Sequence, residues 1–149
     1  LGSILSVLHL VSSNQDSPRG AVVFVHGLCG HPFKSWQADD YSTFWPLWLA
    51  ADLPEIAVYT LEYEAGASNW FGESMQLPDR ATDVLAELAS RDLDRLPIVF
   101  VCHSLGGLVA KQVLRVRSAR HRWYRCFRQH ARCRVSGHAE YGGSPFELG

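Results

Sequence analysis

The sequence predicts an α/β fold in which a mostly parallel sheet is flanked by helices, and three observations carry that prediction. Residues 21–25 ("AVVFV"), 56–63 ("IAVYTLEY") and 98–102 ("IVFVC") are continuous apolar runs bounded by turn residues, as strands buried on both faces are. Stretches with helical patterning lie between and after them. Strands alternating with helices are the mark of parallel βαβ units. The first and third runs each lead at once into a glycine-bearing turn.

Taken in order, "ILSVLHLV" (residues 4–11) reads as a strand, and "SSNQDSPRG" after it carries turn chemistry. "HGLCGHPFKSW" is a loop, and "TFWPLWLAADL" is helical, with Pro46 tolerable near a helix start. "EAGASNWFGES" is a second loop. "LPDRATDVLAELASRDL" is an amphipathic helix: Ala81, Val84, Leu85 and Leu88 follow helical spacing, and Asp79 and Asp83 sit near its positive end. Beyond Pro97 and the third buried run, "LGGLVAKQVL" is again a helix. Residues 1–114 contain no repeats and no low-complexity linkers, and read as one partial domain with three or four parallel strands.

Composition narrows the class. A chain of 149 residues has room for one domain that buries roughly 70% of its unfolded surface. No apolar run approaches the ~20 residues of a membrane span, and "LGSILSVLHLV" lacks the basic region and cleavage site of a secretory signal. Cys29, Cys102, Cys126 and Cys133 form no CxxC pair, which favours reduced thiols and a cytoplasmic setting. The formal net charge of −1 conceals a contrast. Residues 1–114 hold 6 Lys/Arg against 13 Asp/Glu, whereas residues 115–149 hold 8 Arg against Glu140 and Glu147. Two kinds of sequence share one chain.

The chemistry centres on "VFVCHSLGGLVAKQVL". A serine between a buried strand and a helix sits on a sharp turn with its oxygen above the sheet, provided the residues two before and two after are small. Cys102-His103-Ser104-Leu105-Gly106 meets that pattern, with cysteine as the first small residue. The helix behind Ser104 directs free N–H groups toward developing negative charge, so the N–H of Leu105 is one oxyanion-hole donor. "VFVHGLCGH" supplies the second: His26-Gly27 turns the backbone sharply and presents the N–H of Leu28. His26 orders this loop through hydrogen bonds rather than acting as a base, and His103 points away from Ser104. His31, Trp36, Trp45, Trp48 and Trp70 are candidate pocket residues, although packing is the ordinary role of such side chains. Cys29 is a small loop residue.

On these residues the sequence resembles the α/β-hydrolase superfamily. "VFVHGLCGHPFKSW" and "VFVCHSLGGLVAKQVL" are most similar to a lipase-like group containing serine-active-site proteins, GPI inositol-deacylases and hydrolase domains fused to NACHT or ankyrin modules. The resemblance covers roughly residues 5–114 and implies the N-terminal half of that fold. It implies hydrolysis of a lipid or other acyl ester through an acyl-enzyme on Ser104, with Leu28 and Leu105 as the oxyanion hole and His26, Gly27 and Gly106 in support. No cofactor is implied.

The triad is where the pattern breaks. In this family the chain order is Ser, then Asp or Glu, then His. No aspartate follows Ser104, and His121, His130 and His138 all precede Glu140 and Glu147. The chain is therefore expected to be truncated, lacking its acid and base, and inactive. The alternatives are a non-catalytic binding or signalling module and an inactive gene remnant. For the tail three readings compete. One is an RNA-binding arm, with Arg interleaved by Trp123, Tyr124 and Phe127. Another is a zinc site from Cys126, His130, Cys133 and His138, whose spacing matches no common motif. The third is translation out of frame. Arg134–Gly142 can be encoded so that reading one nucleotide later gives Val-Phe-Leu-Ala-Thr-Pro-Asn-Thr-Gly, which resembles the strand and turn that follow the elbow helix in this family. Charge reversal favours the third, so no metal and no nucleic-acid partner is expected. Residues 115–149 are then an out-of-frame or disordered tail, poorly packed beyond about 117, and the sheet edge beside 98–102 stays unpaired.

Overall fold

The computed structural model describes residues 6–12, 17–65, 77–119 and 133–135. Strand β1 (Val7–Ser12) is followed by β2 (Gly20–Val25), helix α1 (Trp45–Asp52), β3 (Ile56–Glu62), α2 (Leu77–Ser90), β4 (Ile98–Cys102), α3 (Leu105–Ala119) and β5 (Cys133–Val135). They form one sheet in the order β1-β3-β2-β4-β5. β2 pairs in parallel with β3 and β4, and β4 with β5, whereas β1 runs antiparallel to β3. The first strand thus stands apart from the parallel set.

The central position of β2 explains its unbroken apolar sequence. All six of its residues are buried, and because side chains alternate across a strand, each face needs its own apolar set. Ala21, Val23 and Val25 join Ala57, Leu61, Ile98 and Phe100 in the larger core, beneath Ala81, Val84 and Leu88 of α2 and Val109 and Val113 of α3. Val22 and Phe24 face the other way, with Trp36, Phe44, Ala50 and Val58. Trp36 and Trp45 meet the Phe24 ring edge-on, with centroids 5.0 and 4.5 Å away. Both tryptophans are therefore packing residues of the α1 side.

Local chemistry sets the helix starts. Asp40 caps a short 3₁₀ turn by accepting from the Ser42 N–H at 2.8 Å, and Pro46 occupies the first turn of α1, where a missing N–H costs nothing. The Glu87 carboxylate accepts from the Leu8 N–H (3.1 Å) and from Arg91 (2.8 Å), tying α2 to the edge strand.

One expectation about the C-terminal part, the unpaired sheet edge beside 98–102, needs correction. Helix α3 continues to Ala119, past residue 114. Arg117 is buried there, and its guanidinium donates to the Asp94 carbonyl at 2.6 Å. The outer edge of β4 is paired: Phe100, Val101 and Cys102 stand opposite Cys133, Arg134 and Val135. A ladder needs only N–H and C=O groups, so a charged, aperiodic stretch can supply it. The other residues assigned to the tail lie outside the described residues.

The two cores make a stability prediction. Leu88→Ala, which empties a fully buried site under α2, should destabilise by about 2–4 kcal/mol. Leu10→Ala, on the exposed face of β1, should change stability by less than about 0.5 kcal/mol. Urea denaturation of the two variants checks the contrast.

Candidate active site

The position of the site follows from the topology. From β2 the chain leaves toward α1 on one face of the sheet, and from the adjacent β4 it leaves toward α3 on the other. Parallel neighbours whose connections diverge in this way open a crevice at their carboxyl ends. The loop 26–30 and the turn 103–105 meet there.

Ser104 occupies the turn between β4 and α3 with φ 51°, the left-handed region, and its side chain is exposed. A non-glycine residue held there costs on the order of 1–2 kcal/mol and persists only where its surroundings impose it. The imposing contacts are visible. His103 N–H donates to the Val25 carbonyl at 3.0 Å, extending the β2–β4 ladder to the turn, and Gly106 and Gly107 N–H groups close it on His103 and Ser104 at 3.0 Å each. A methyl group at Gly106 would lie 2.2 Å from the Val25 oxygen and 2.6 Å from that of His26. Only hydrogen fits between the start of α3 and the end of β2. Cys102, the small residue before the turn, is fully buried.

The loop after β2 lies against this turn. A Cβ at Gly27 would stand 3.0 Å from both the Ser104 Cβ and the His103 Nδ1. Gly27 is needed for that closeness and not for handedness, since the described glycines all have negative φ; the left-handed residue of this loop is Cys29, at φ 54°. The expected sharp turn at Gly27 is thus made two residues later. The Cys29 N–H donates to the Ala65 carbonyl at 2.7 Å and the Gly30 N–H to that of Gly27 at 3.0 Å. Among the described residues, no hydrogen bond engages the N–H of Leu28 or of Leu105.

His26 is 1% exposed. Its Nδ1 lies 2.9 Å from the Gly27 carbonyl, and because a carbonyl only accepts, Nδ1 carries the proton. Nε2 is then a lone pair with no partner among the described residues. Burial pushes the His26 pKa down, with a further lowering by His31, while the Gly27 carbonyl and Glu62 act in the opposite sense. The consequence reaches the next peptide. The Gly27 oxygen is held by two donors, the imidazole and the Gly30 N–H, and in a trans peptide the Leu28 N–H points opposite to it.

The other residues singled out from the sequence are placed as follows. His103 is exposed. His31 is also exposed, and its Nδ1 accepts from the Phe33 and Lys34 N–H groups at 3.1 and 3.4 Å, a loop cap rather than a site group. Trp48 is exposed and donates to the Ser42 carbonyl. Trp70 lies outside the described residues. Among the described residues, no three His, Cys, Asp or Glu side chains converge as a metal site, and no helix is long and apolar enough to cross a membrane. Tyr63 belongs to the site although sequence patterning did not single it out. Its hydroxyl donates to the His26 carbonyl at 2.5 Å, and its ring stacks on the imidazole with centroids 4.5 Å apart.

Known proteins share this sequence pattern and fold. Residues 22–138 match the sequence model described as the alpha/beta hydrolase family. Protein SERAC1 of Bos taurus is 31% identical over 128 residues, and that of Homo sapiens 30%; each match covers 72% of this chain and 20% of the relative. The chain thus spans about a fifth of the length of these curated relatives. Among solved structures, YbtT, the type II thioesterase from the yersiniabactin NRPS/PKS biosynthetic pathway, superposes with a TM-score of 0.51 at 17% identity. The overlap covers 77% of this chain and 43% of that one, a likeness of fold to part of the larger molecule.

Two measurements follow. Gly106→Ala should cost about 2–3 kcal/mol, because the methyl meets backbone that cannot step aside; chemical denaturation reads it. His26 is harder to protonate folded than unfolded, so the unfolded chain takes up the proton first. Its contribution to stability is complete above the unfolded pKa of ~6.5 and is lost as pH falls below it. His26→Asn should flatten the fall in urea midpoint between pH 7.5 and 5.5.

Proposed function

The chain belongs to the alpha/beta hydrolase family, and within it we propose a serine hydrolase that cleaves a lipid or other acyl ester through an acyl-enzyme on Ser104. One observation carries the reading. Ser104 is held in a left-handed turn at the crevice between diverging parallel strands, exposed, with the start of a 15-residue helix behind it. Such strain, held on an exposed serine, suits a nucleophile.

In the proposed reaction the Ser104 Oγ attacks the ester carbonyl carbon and its proton passes to a base. The carbonyl electron pair moves onto oxygen, and the Leu28 and Leu105 N–H groups receive the oxyanion. Collapse expels the alcohol and leaves the acyl group on Oγ, from which water releases it. His26 and Gly27 support the first donor and Gly106 the turn that carries the second. His26 is not the base, because its ring is 1% exposed and its Nε2 lone pair is buried with it. Within these 149 residues the order Ser–acid–His is not met. Without that pair, catalysis falls to the ~10³–10⁴-fold over water that an oxyanion hole and binding alone provide. A second reading is a non-catalytic hydrolase-like module, which needs no activated serine. The cytoplasmic setting rests on the cysteine pattern, an ester substrate without a cofactor on the resemblance, and the expectation of no metal and no nucleic-acid partner on the out-of-frame reading of the tail.

Intact-mass spectrometry after prolonged exposure to a fluorophosphonate checks the assignment. One adduct is expected, absent from Ser104→Ala. Turnover of p-nitrophenyl butyrate should be slow and equally lost in that variant. An unmodified protein, or an adduct that survives Ser104→Ala, selects the non-catalytic reading.

A further inference from the structure

We propose that Tyr63 is a positioning residue for the oxyanion loop, acting through the His26 carbonyl. β3 ends at Glu62, and the three residues after it run beside the loop that follows β2. They grip that loop at two points. The Tyr63 hydroxyl donates to the His26 oxygen at 2.5 Å, and the Ala65 carbonyl accepts from the Cys29 N–H at 2.7 Å. Leu28 lies between these anchors.

The His26 carbonyl is the point at which loop and nucleophile turn come together. A methyl at Gly106 would stand 2.6 Å from this same oxygen, so the Tyr63 hydroxyl fixes a peptide pressed against the first turn of α3. The ring adds a second restraint. It lies within 17° of parallel to the imidazole, and that imidazole holds the Gly27 oxygen. Tyr63 therefore constrains two successive peptides: the His26–Gly27 unit directly, and the Gly27–Leu28 unit through the ring it stacks on. The second of these carries the Leu28 N–H. Burial raises the Tyr63 phenol pKa, so the hydroxyl remains a donor across the working pH range. Tyr63 is itself anchored from outside: Glu64, its neighbour, pairs with the buried Arg80 of α2 at 3.8 Å.

The proposal rests on the hydrolase reading for its chemical readout and not for its structural one. Tyr63→Phe keeps the stacked ring and removes only the hydroxyl. In ¹H–¹⁵N spectra the Gly27 and Leu28 amides should move, while those of Val22 and Val58, paired within β2 and β3, stay in place. The melting temperature should fall by no more than about 5 °C. Phosphonylation of Ser104 at a temperature where both proteins are folded should slow roughly three- to tenfold, the effect of one misdirected donor. Gly27 and Leu28 amides unchanged in Tyr63→Phe would overturn the proposal. So would labelling at the unmodified rate. If the parent protein is not labelled at all, the hydrolase reading fails, and the amide shifts alone decide the role of Tyr63.

Discussion

The contact on which the rest of the structure depends is backbone against backbone, where Gly106 meets the Val25 and His26 carbonyls. β2 and β4 are parallel neighbours, so their carboxyl ends lie side by side. The chain beyond β4 must turn back over the end of β2 to start a helix on the opposite face from α1. No side chain fits in that crossing. The turn is correspondingly tight, and Ser104 takes the left-handed conformation that a bulkier β-branched residue would resist. An exposed serine presented in this way follows from two adjacent strands sending their connections to opposite faces.

Around that crossing the polar backbone is ordered by its carbonyls. The Val25 oxygen receives His103, the His26 oxygen receives Tyr63, and the Gly27 oxygen receives both His26 and Gly30. Each anchored carbonyl aims the N–H of its own peptide the other way. The buried imidazole has a cost, since one of its nitrogens is a lone pair without a partner among the described residues. That cost is tolerable for a neutral ring and severe for a charged one, which is why burial lowers its pKa. Loop geometry and protonation are thereby coupled in His26.

Two surfaces carry less order of this kind. Helix α1 is apolar on every side, yet only Pro46 and Ala50 are buried, and Trp45, Leu47 and Trp48 are exposed. On the same side of the sheet Val99 and Val101 of β4 are only partly covered. The α2–α3 side is the better-filled core, because two helices pack against one another there as well as on the strands.

The strand–helix alternation, the glycines at the crossing and the exposed serine were legible from the sequence by itself, because each rests on a local rule. Burial on both faces writes a continuous apolar run, and an amphipathic helix writes a 3.6-residue period. A turn of this tightness demands small residues at fixed offsets from Ser104. Tertiary structure alone decided the rest. That β1 runs antiparallel, that Cys133–Val135 pairs with β4, and that Arg117 lies buried on a backbone carbonyl depend on which edges and carbonyls are left available. Tyr63 is the clearest case. Its sequence context is an ordinary strand end, and its partner stands 37 residues away. Only the parallel pairing of β2 with β3 brings that hydroxyl to the His26 carbonyl, because a hydrogen bond is specified by where two atoms meet in space and leaves no periodic trace in the chain.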